Sequence, residues 1–142
     1  MLRDMNRLIA WFLDPGRPAW APFVARLALA VIFVPAGIGK FVNHDDYITR
    51  FERWGFGSAS SQISILVGIV EILGGLALAV GIVPRLAAVV LIGNMVGALV
   101  TAGRVDGGSD IWLPLVLIAV LAVVAALGAG RYAFRPRFIP RS

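Results

Sequence analysis

The sequence predicts an all-α membrane protein: a four transmembrane helix bundle with short interfacial amphipathic helices. Three observations predict it. Hydrophobic residues make up 59% of the 142-residue chain and charged residues only 15%, against roughly 25% charged in a soluble domain. The mean hydropathy is +0.87, which is more apolar surface than a small single domain hides from water. The apolar residues also gather in four blocks, each close to the roughly 17–25 residues that cross a hydrocarbon core.

The blocks place the spans at about 22–42, 63–83, 86–102 and 111–127 within a transmembrane domain of residues 22–127. Pro84 and Arg85 alone separate spans two and three, so these two are antiparallel neighbours. Residues 1–21 read as an N-terminal segment with an interfacial helix, in which Leu2, Met5, Ile9 and Phe12 share a face and Arg3 and Arg7 another. Asp4, Asp14, Pro15 and Pro18 interrupt the early apolar stretch, so the first span is expected to be an uncleaved anchor. Between spans one and two, residues 43–54 predict a second interfacial helix. Asn43 and Asp46 resemble its cap, Tyr47, Phe51 and Trp54 form an aromatic stripe read as a membrane anchor, and Gly55 and Gly57 end it. Residues 128–142 form a basic tail.

An even number of spans puts both termini on one side. That side holds Arg3, Arg7, Arg17, Arg85, Arg131, Arg135, Arg137 and Arg141, against Lys40, Arg50, Arg53 and Arg104 on the other. The excess of arginine predicts both termini in the cytoplasm. Trp11, Trp20 and Tyr132 fall at the inner interface and Tyr47, Trp54 and Trp112 at the outer, where aromatic belts form. The net charge of +5 is accounted for by juxtamembrane arginines facing anionic lipid. Nucleic acid is not an expected partner, because the basic residues are spaced and not gathered in an aromatic-laced patch.

The chain has no cysteine and one histidine. It therefore has no disulfide, no thiol exchange and no thiolate-held iron–sulfur cluster, and no pair of its own imidazoles to hold a haem. His44 stands beside Asp45 and Asp46, but adjacent residues on a helix do not converge on a metal, so the triplet reads as a solvated helix start and no metal is expected.

The polar residues inside the spans are the candidate site. Glu71 sits about a third of the way into span two, where an ionised group costs about 2.5–3.5 kcal/mol and must find a partner inside the bundle. Gly68, Glu71, Gly75 and Ala79 share a narrow arc, so a neighbouring backbone can come close at the glycines. Span one carries Arg26, Ala30, Phe33, Gly37 and Lys40 on one face, all within about 40 degrees of Arg26, with Pro35 able to bend that register. Span three offers Asn94, and its Gly93 and Gly97 form a GxxxG packing pair. Span four has no ionisable residue between Asp110 and Arg131 and reads as a lipid-facing wall. The three faces are expected to converge on a polar centre of Glu71, Asn94 and either Arg26 or Lys40. The competing expectation is that Arg26 and Lys40 snorkel to their own surfaces, leaving Glu71 neutral and bonded to Asn94 or a carbonyl.

Several strings of the sequence resemble the DoxX family of small four-span bacterial membrane proteins. They are Arg26-Leu27-Ala28-Leu29-Ala30, Gly37-Ile38-Gly39-Lys40-Phe41, Phe51 with Trp54-Gly55, Gly68-Ile69-Val70-Glu71-Ile72-Leu73-Gly74-Gly75, Leu78 to Gly81, Arg85-Leu86-Ala87-Ala88, and Gly128-Ala129-Gly130-Arg131-Tyr132. The resemblance implies an accessory or anchoring subunit of a quinone-linked membrane redox system, with no catalysis of its own. Quinone is then the implied cofactor, and the implied partners are the lipid bilayer, oxidoreductase subunits and further copies of the chain. The chain departs from the family where it reads Thr101-Ala102-Gly103-Arg104, a place often held by histidine, and it lacks the cysteine pairs of related families. Two other functions stay open: a structural or assembly subunit whose polar centre fixes helix packing, and a small transporter, for which no pair of discontinuous helices is visible.

Overall fold

A computed structural model describes residues 1–13, 19–105 and 111–134. Arg17, Asp110, Arg135, Arg137 and Arg141, and with them most of the basic tail, lie outside the described residues. The elements are α1 (Leu2–Leu13), α2 (Trp20–Val42), α3 (His44–Phe51), a π-turn (Glu52–Phe56) and a 3-10 turn (Gly57–Ala59), then α4 (Ser60–Val80), α5 (Pro84–Val105) and α6 (Trp112–Leu127). No strand is present among the described residues. The fold is an all-α membrane bundle. Three helical runs are long and apolar enough to cross a bilayer, namely α2, the run ending in α4, and α5, while α6 is shorter.

Helix α2 packs on α4 and α6, and α5 packs on the same two, so the four long helices close a ring in the order α2, α4, α5, α6. The tightest crossing joins α2 to α4. A Cβ on Gly37 would lie 2.7 Å from the Gly68 carbonyl oxygen, and one on Gly75 would lie 2.7 Å from Val34 Cγ2. Backbones meet there because the side chains that would hold them apart are absent.

Helix α6 is more than the lipid-facing wall expected of it: it leaves Leu113, Val116 and Val123 exposed and also contributes to the core. Leu117, Leu121 and Val124 are buried in the same cluster as Leu29, Phe33, Leu78 and Leu91. A helix with no polar residue carries no periodic mark of its inward face, and packing against α5 supplies what the sequence omits.

The turn between α4 and α5 lies at residues 81–83, earlier than the Pro84-Arg85 pair suggests. Gly81 ends α4 in the left-handed region with φ of 79°, and Pro84 opens α5, where its missing N–H has no helical partner to lose. Helix α6, with 16 residues, reaches roughly 24 Å at 1.5 Å per residue, short of a hydrocarbon core of about 30 Å. The chain then leaves the helix at Gly128 and turns back along the bundle end, with Gly128, Ala129 and Gly130 buried. Arg131 N–H donates to the Ala19 carbonyl at 3.1 Å and Phe134 N–H to that of Val80 at 3.2 Å.

Irregular backbone at this depth is tolerated only where its polar groups are satisfied by protein, and Arg26 satisfies them. Its guanidinium, 1% exposed, donates from Nε to Ala129 O at 2.9 Å. Its Nη1 donates to Leu78 O at 2.7 Å and Ala79 O at 2.7 Å. Its Nη2 donates to Arg131 O at 2.9 Å and Tyr132 O at 3.0 Å. At the same end Arg85 donates to Trp11 O at 3.0 Å and stacks 4.9 Å over the Trp11 ring, fastening α1 to α5. The exposed apolar side chains of α1, Leu2, Met5 and Ile9, share that surface with Arg3 and Arg7.

Candidate functional site

The α2–α4 crossing sets the register that brings the polar groups together. One turn beyond Gly37, Lys40 Nζ reaches Glu71 Oε2 at 2.6 Å. The other carboxylate oxygen, Oε1, accepts from Asn94 Nδ2 at 3.1 Å. A carboxylate only accepts, so the Asn94 amide must present its nitrogen here. Glu71 is 4% exposed and Lys40 8%, and the contact joins three helices. Of the two cations in α2, Lys40 belongs to this centre. Arg26 stands apart at the opposite end, held by the five carbonyls above. Neither side chain snorkels to a surface.

Lys40 also donates weakly to the Ala36 carbonyl at 3.4 Å, and its Nζ lies 5.0 Å from the Tyr47 ring centroid. An ammonium has three donors, so one N–H is left over. Asn94 likewise keeps its Oδ1 and its second N–H. These spare groups border a cavity of about 450 Å³ between the helices at the α3 end, lined by Lys40, Glu71 and Asn94 with Arg50 and Thr101 among apolar side chains of all four long helices.

The aromatic stripe lines this cavity at the α3 end. Tyr47, Phe51, Trp54 and Phe56 all line it, and Phe51 is 4% exposed. The Phe51 ring lies 4.9 Å from Trp54 and 5.7 Å from Phe56. The sequence assigns Tyr47, Phe51 and Trp54 to a membrane anchor; in the structure they are turned inward over the polar centre. Helical spacing tells which residues share a face but not what that face meets. Phe56 was missed because it lies beyond Gly55, whose φ of 98° breaks the helical spacing and swings the chain back over the bundle. The Asn43 side chain makes no cap bond to α3. His44, at the start of α3, instead ties that helix to α4, its Nε2 lying 3.1 Å from Ser61 Oγ.

The four glycines fall into two pairs. Gly68 and Gly75 sit at the α2–α4 crossing, where an added Cβ would lie 2.9 Å from the Phe41 ring and 2.7 Å from Val34. Gly93 and Gly97, the GxxxG pair, meet no other helix of this chain among the described residues: an added Cβ has no atom within 4 Å at either. Both line the cavity. A GxxxG spacing marks a smooth strip of helix, and here that strip borders an opening.

No solved structure matches the chain. A Mycobacterium tuberculosis protein described as an uncharacterized membrane protein is 41% identical over 76 residues, covering 53% of this chain and 46% of that relative, so the chain spans under half the length of the relative it matches. The DoxX family model matches residues 21–104, a stretch that contains Arg26, Lys40, Glu71 and Asn94 and takes in well over half of the sequence. The chain belongs to the DoxX family.

Proposed function

We propose that this DoxX-family membrane protein is an accessory or anchoring subunit of a membrane redox system, and that it holds a quinone-type headgroup beside Lys40, Glu71 and Asn94 while a partner subunit transfers the electrons. The observation that carries the reading is a buried ion pair, 2.6 Å long, set in the wall of an aromatic-lined cavity of about 450 Å³. Burying two charges is costly, and apolar residues of equal size hold helices together as well or better. A charge pair kept beside an open volume is therefore better accounted for by what the volume receives. The size falls within the roughly 300–1,000 Å³ usual for small-molecule sites.

The residues suit the group. The spare Lys40 N–H is a donor for a carbonyl oxygen, and the Asn94 amide offers both a donor and an acceptor. Phe51, Trp54 and Phe56 supply flat apolar surfaces for a ring. A bound quinone would supply two-electron carbonyl–hydroquinone chemistry, and the chain's part is to bind, orient and shield it.

Decylubiquinone added to the purified protein is expected to quench Trp54 fluorescence, with a Trp54→Phe variant as the blank. Lys40→Met is expected to weaken binding by about tenfold or more, the loss of one charge-assisted hydrogen bond of about 1.5–3 kcal/mol. The alternative, a subunit whose polar centre only fixes packing, draws on the same link between α2, α4 and α5. It prevails if no quenching occurs and organic extraction of the gently purified protein yields phospholipid alone.

The proposal includes a bacterial plasma membrane location with both termini in the cytoplasm. Supporting it, α1, Arg26, Arg85 and Arg131 gather at one end of the bundle and α3 lies at the other, in keeping with the arginine excess on the cytoplasmic side. Glu52→Cys is expected to react with an impermeant thiol reagent in intact cells and Asn6→Cys only after lysis. The reverse pattern overturns the orientation.

A further inference from the structure

The cavity has a side opening whose position specifies how its ligand arrives. Asn94 reaches Glu71 on α4, so this flank of α5 faces α4. Gly93 and Gly97 lie next to Asn94 toward the outside, exposed, and an added Cβ at either meets no atom within 4 Å. Across from them α4 lines the cavity with Val67 and Ile63. Lower in the same crevice the helices close: a Cβ on Gly74 would lie 2.9 Å from Leu91 Cγ. The α4–α5 seam is thus shut below Glu71 and open above it, at the height of the cavity, on a side of the bundle that faces lipid.

From this we infer that the ligand is an amphiphile that enters sideways from the bilayer between α4 and α5, its polar head against Lys40 and Asn94 and its hydrocarbon chain lying over Gly93 and Gly97. The inference rests on the ligand-binding reading above and adds the route and the second half of the molecule. A polar head alone would come from water, and the α3 end would be its door. That end is narrowed by the aromatic side chains of Phe51, Trp54 and Phe56, with the exposed Arg50 at its rim. A hydrocarbon chain left in lipid needs a gap in the wall with no side chain across it, which glycine provides at positions 93 and 97.

The test uses Thr101→Cys in the full chain, a cavity-lining position in a protein that has no other cysteine. Reconstituted in phosphatidylcholine vesicles at mildly alkaline pH, it is treated with pyrenylmaleimide, which partitions into the bilayer, or with a sulfonated maleimide confined to water. Adding Gly97→Leu is expected to slow the bilayer-borne reagent by about tenfold or more, the order of effect of changing a pocket by a few methylenes. The water-borne reagent and the melting temperature are expected to change little, because the new side chain grows into open space. An equal rate with and without Gly97→Leu overturns the side entry.

Trp54 quenching by two quinones separates this from the proposed function. Gly97→Leu is expected to weaken decylubiquinone about tenfold more than it weakens the tail-less 2,3-dimethoxy-5-methyl-benzoquinone. If labelling slows but the unsubstituted protein binds neither quinone, the side entry stands and the quinone reading falls. If both quinones bind and Gly97→Leu alters neither binding nor labelling, the quinone reading stands and the side entry falls.

Discussion

Glu71→Leu is expected to lower the stability of the bundle by about 3–5 kcal/mol, the usual cost of stranding one member of a buried ion pair. The substitution leaves the Lys40 ammonium, 8% exposed, with the weak Ala36 carbonyl contact at 3.4 Å and the Tyr47 ring 5.0 Å away. It also strips Asn94 of its acceptor. Glu71→Gln is expected to cost less. Its amide keeps one acceptor for Lys40, and Asn94 can turn over to accept from the new N–H, so the loss is mainly that of the negative charge. Removing the stranded cation as well, in Lys40→Met with Glu71→Leu, is expected to recover part of the loss, because an apolar pair of similar volume replaces an ionic one. Thermal unfolding in detergent of the two single variants and the double variant gives the coupling directly. A Glu71→Leu protein as stable as the unsubstituted one, or strictly additive single losses, would remove the ion pair from the account of the fold and with it the charged wall of the cavity.

Arg26→Ala is expected to destabilise by about 4 kcal/mol, at the upper end of single substitutions, and to release residues 128–134 from the bundle. Five carbonyls lose their donor at once: two belong to the end of α4 and three to the returning chain. The α4 carbonyls are among the four that every helix end leaves unmatched, and the others sit on irregular backbone, buried at Ala129. Arg26→Lys keeps the charge but has three donors on a single nitrogen in place of a planar fork of five, so an intermediate loss is expected. Limited trypsin digestion separates this role from general instability. Cleavage after Arg131 is expected to rise well before cleavage elsewhere in Arg26→Ala and to rise partly in Arg26→Lys. Unchanged cleavage at Arg131 would mean that the returning segment is held by its own backbone bonds to Ala19 and Val80.

Much of this protein was legible before any coordinates. The membrane bundle follows from composition and block length, because lipid admits only backbone that bonds to itself and helices do so locally. The Glu71 face follows from the cost of a carboxylate at that depth, which demands a partner wherever the helix lies. Asn94 was legible as that partner for the same reason: it is the polar amide on the face of a neighbouring span.

What the sequence left open needed distances between helices. Lys40 and Arg26 share one face of α2, and nothing local distinguishes them. The Gly37–Gly68 crossing sets the depth at which α2 meets α4 and so gives Glu71 to Lys40, while the returning chain after Gly128 takes Arg26. The aromatic stripe of α3 reads the same whether it points to lipid or inward, and the turn at Gly55 decides that it points inward. Gly93 and Gly97 carry the spacing of a packing face, yet packing needs a second surface, and that surface stops short of them. Helix α6 carries no polar mark at all, so only its fit against α5 shows which side is core. The sequence by itself determined the solvent of this protein, its helical secondary structure and the need of Glu71 for a partner. Tertiary structure decided which charge meets which and where the wall stays open, because those outcomes depend on how closely two backbones approach, and backbone approach is a property of pairs of helices.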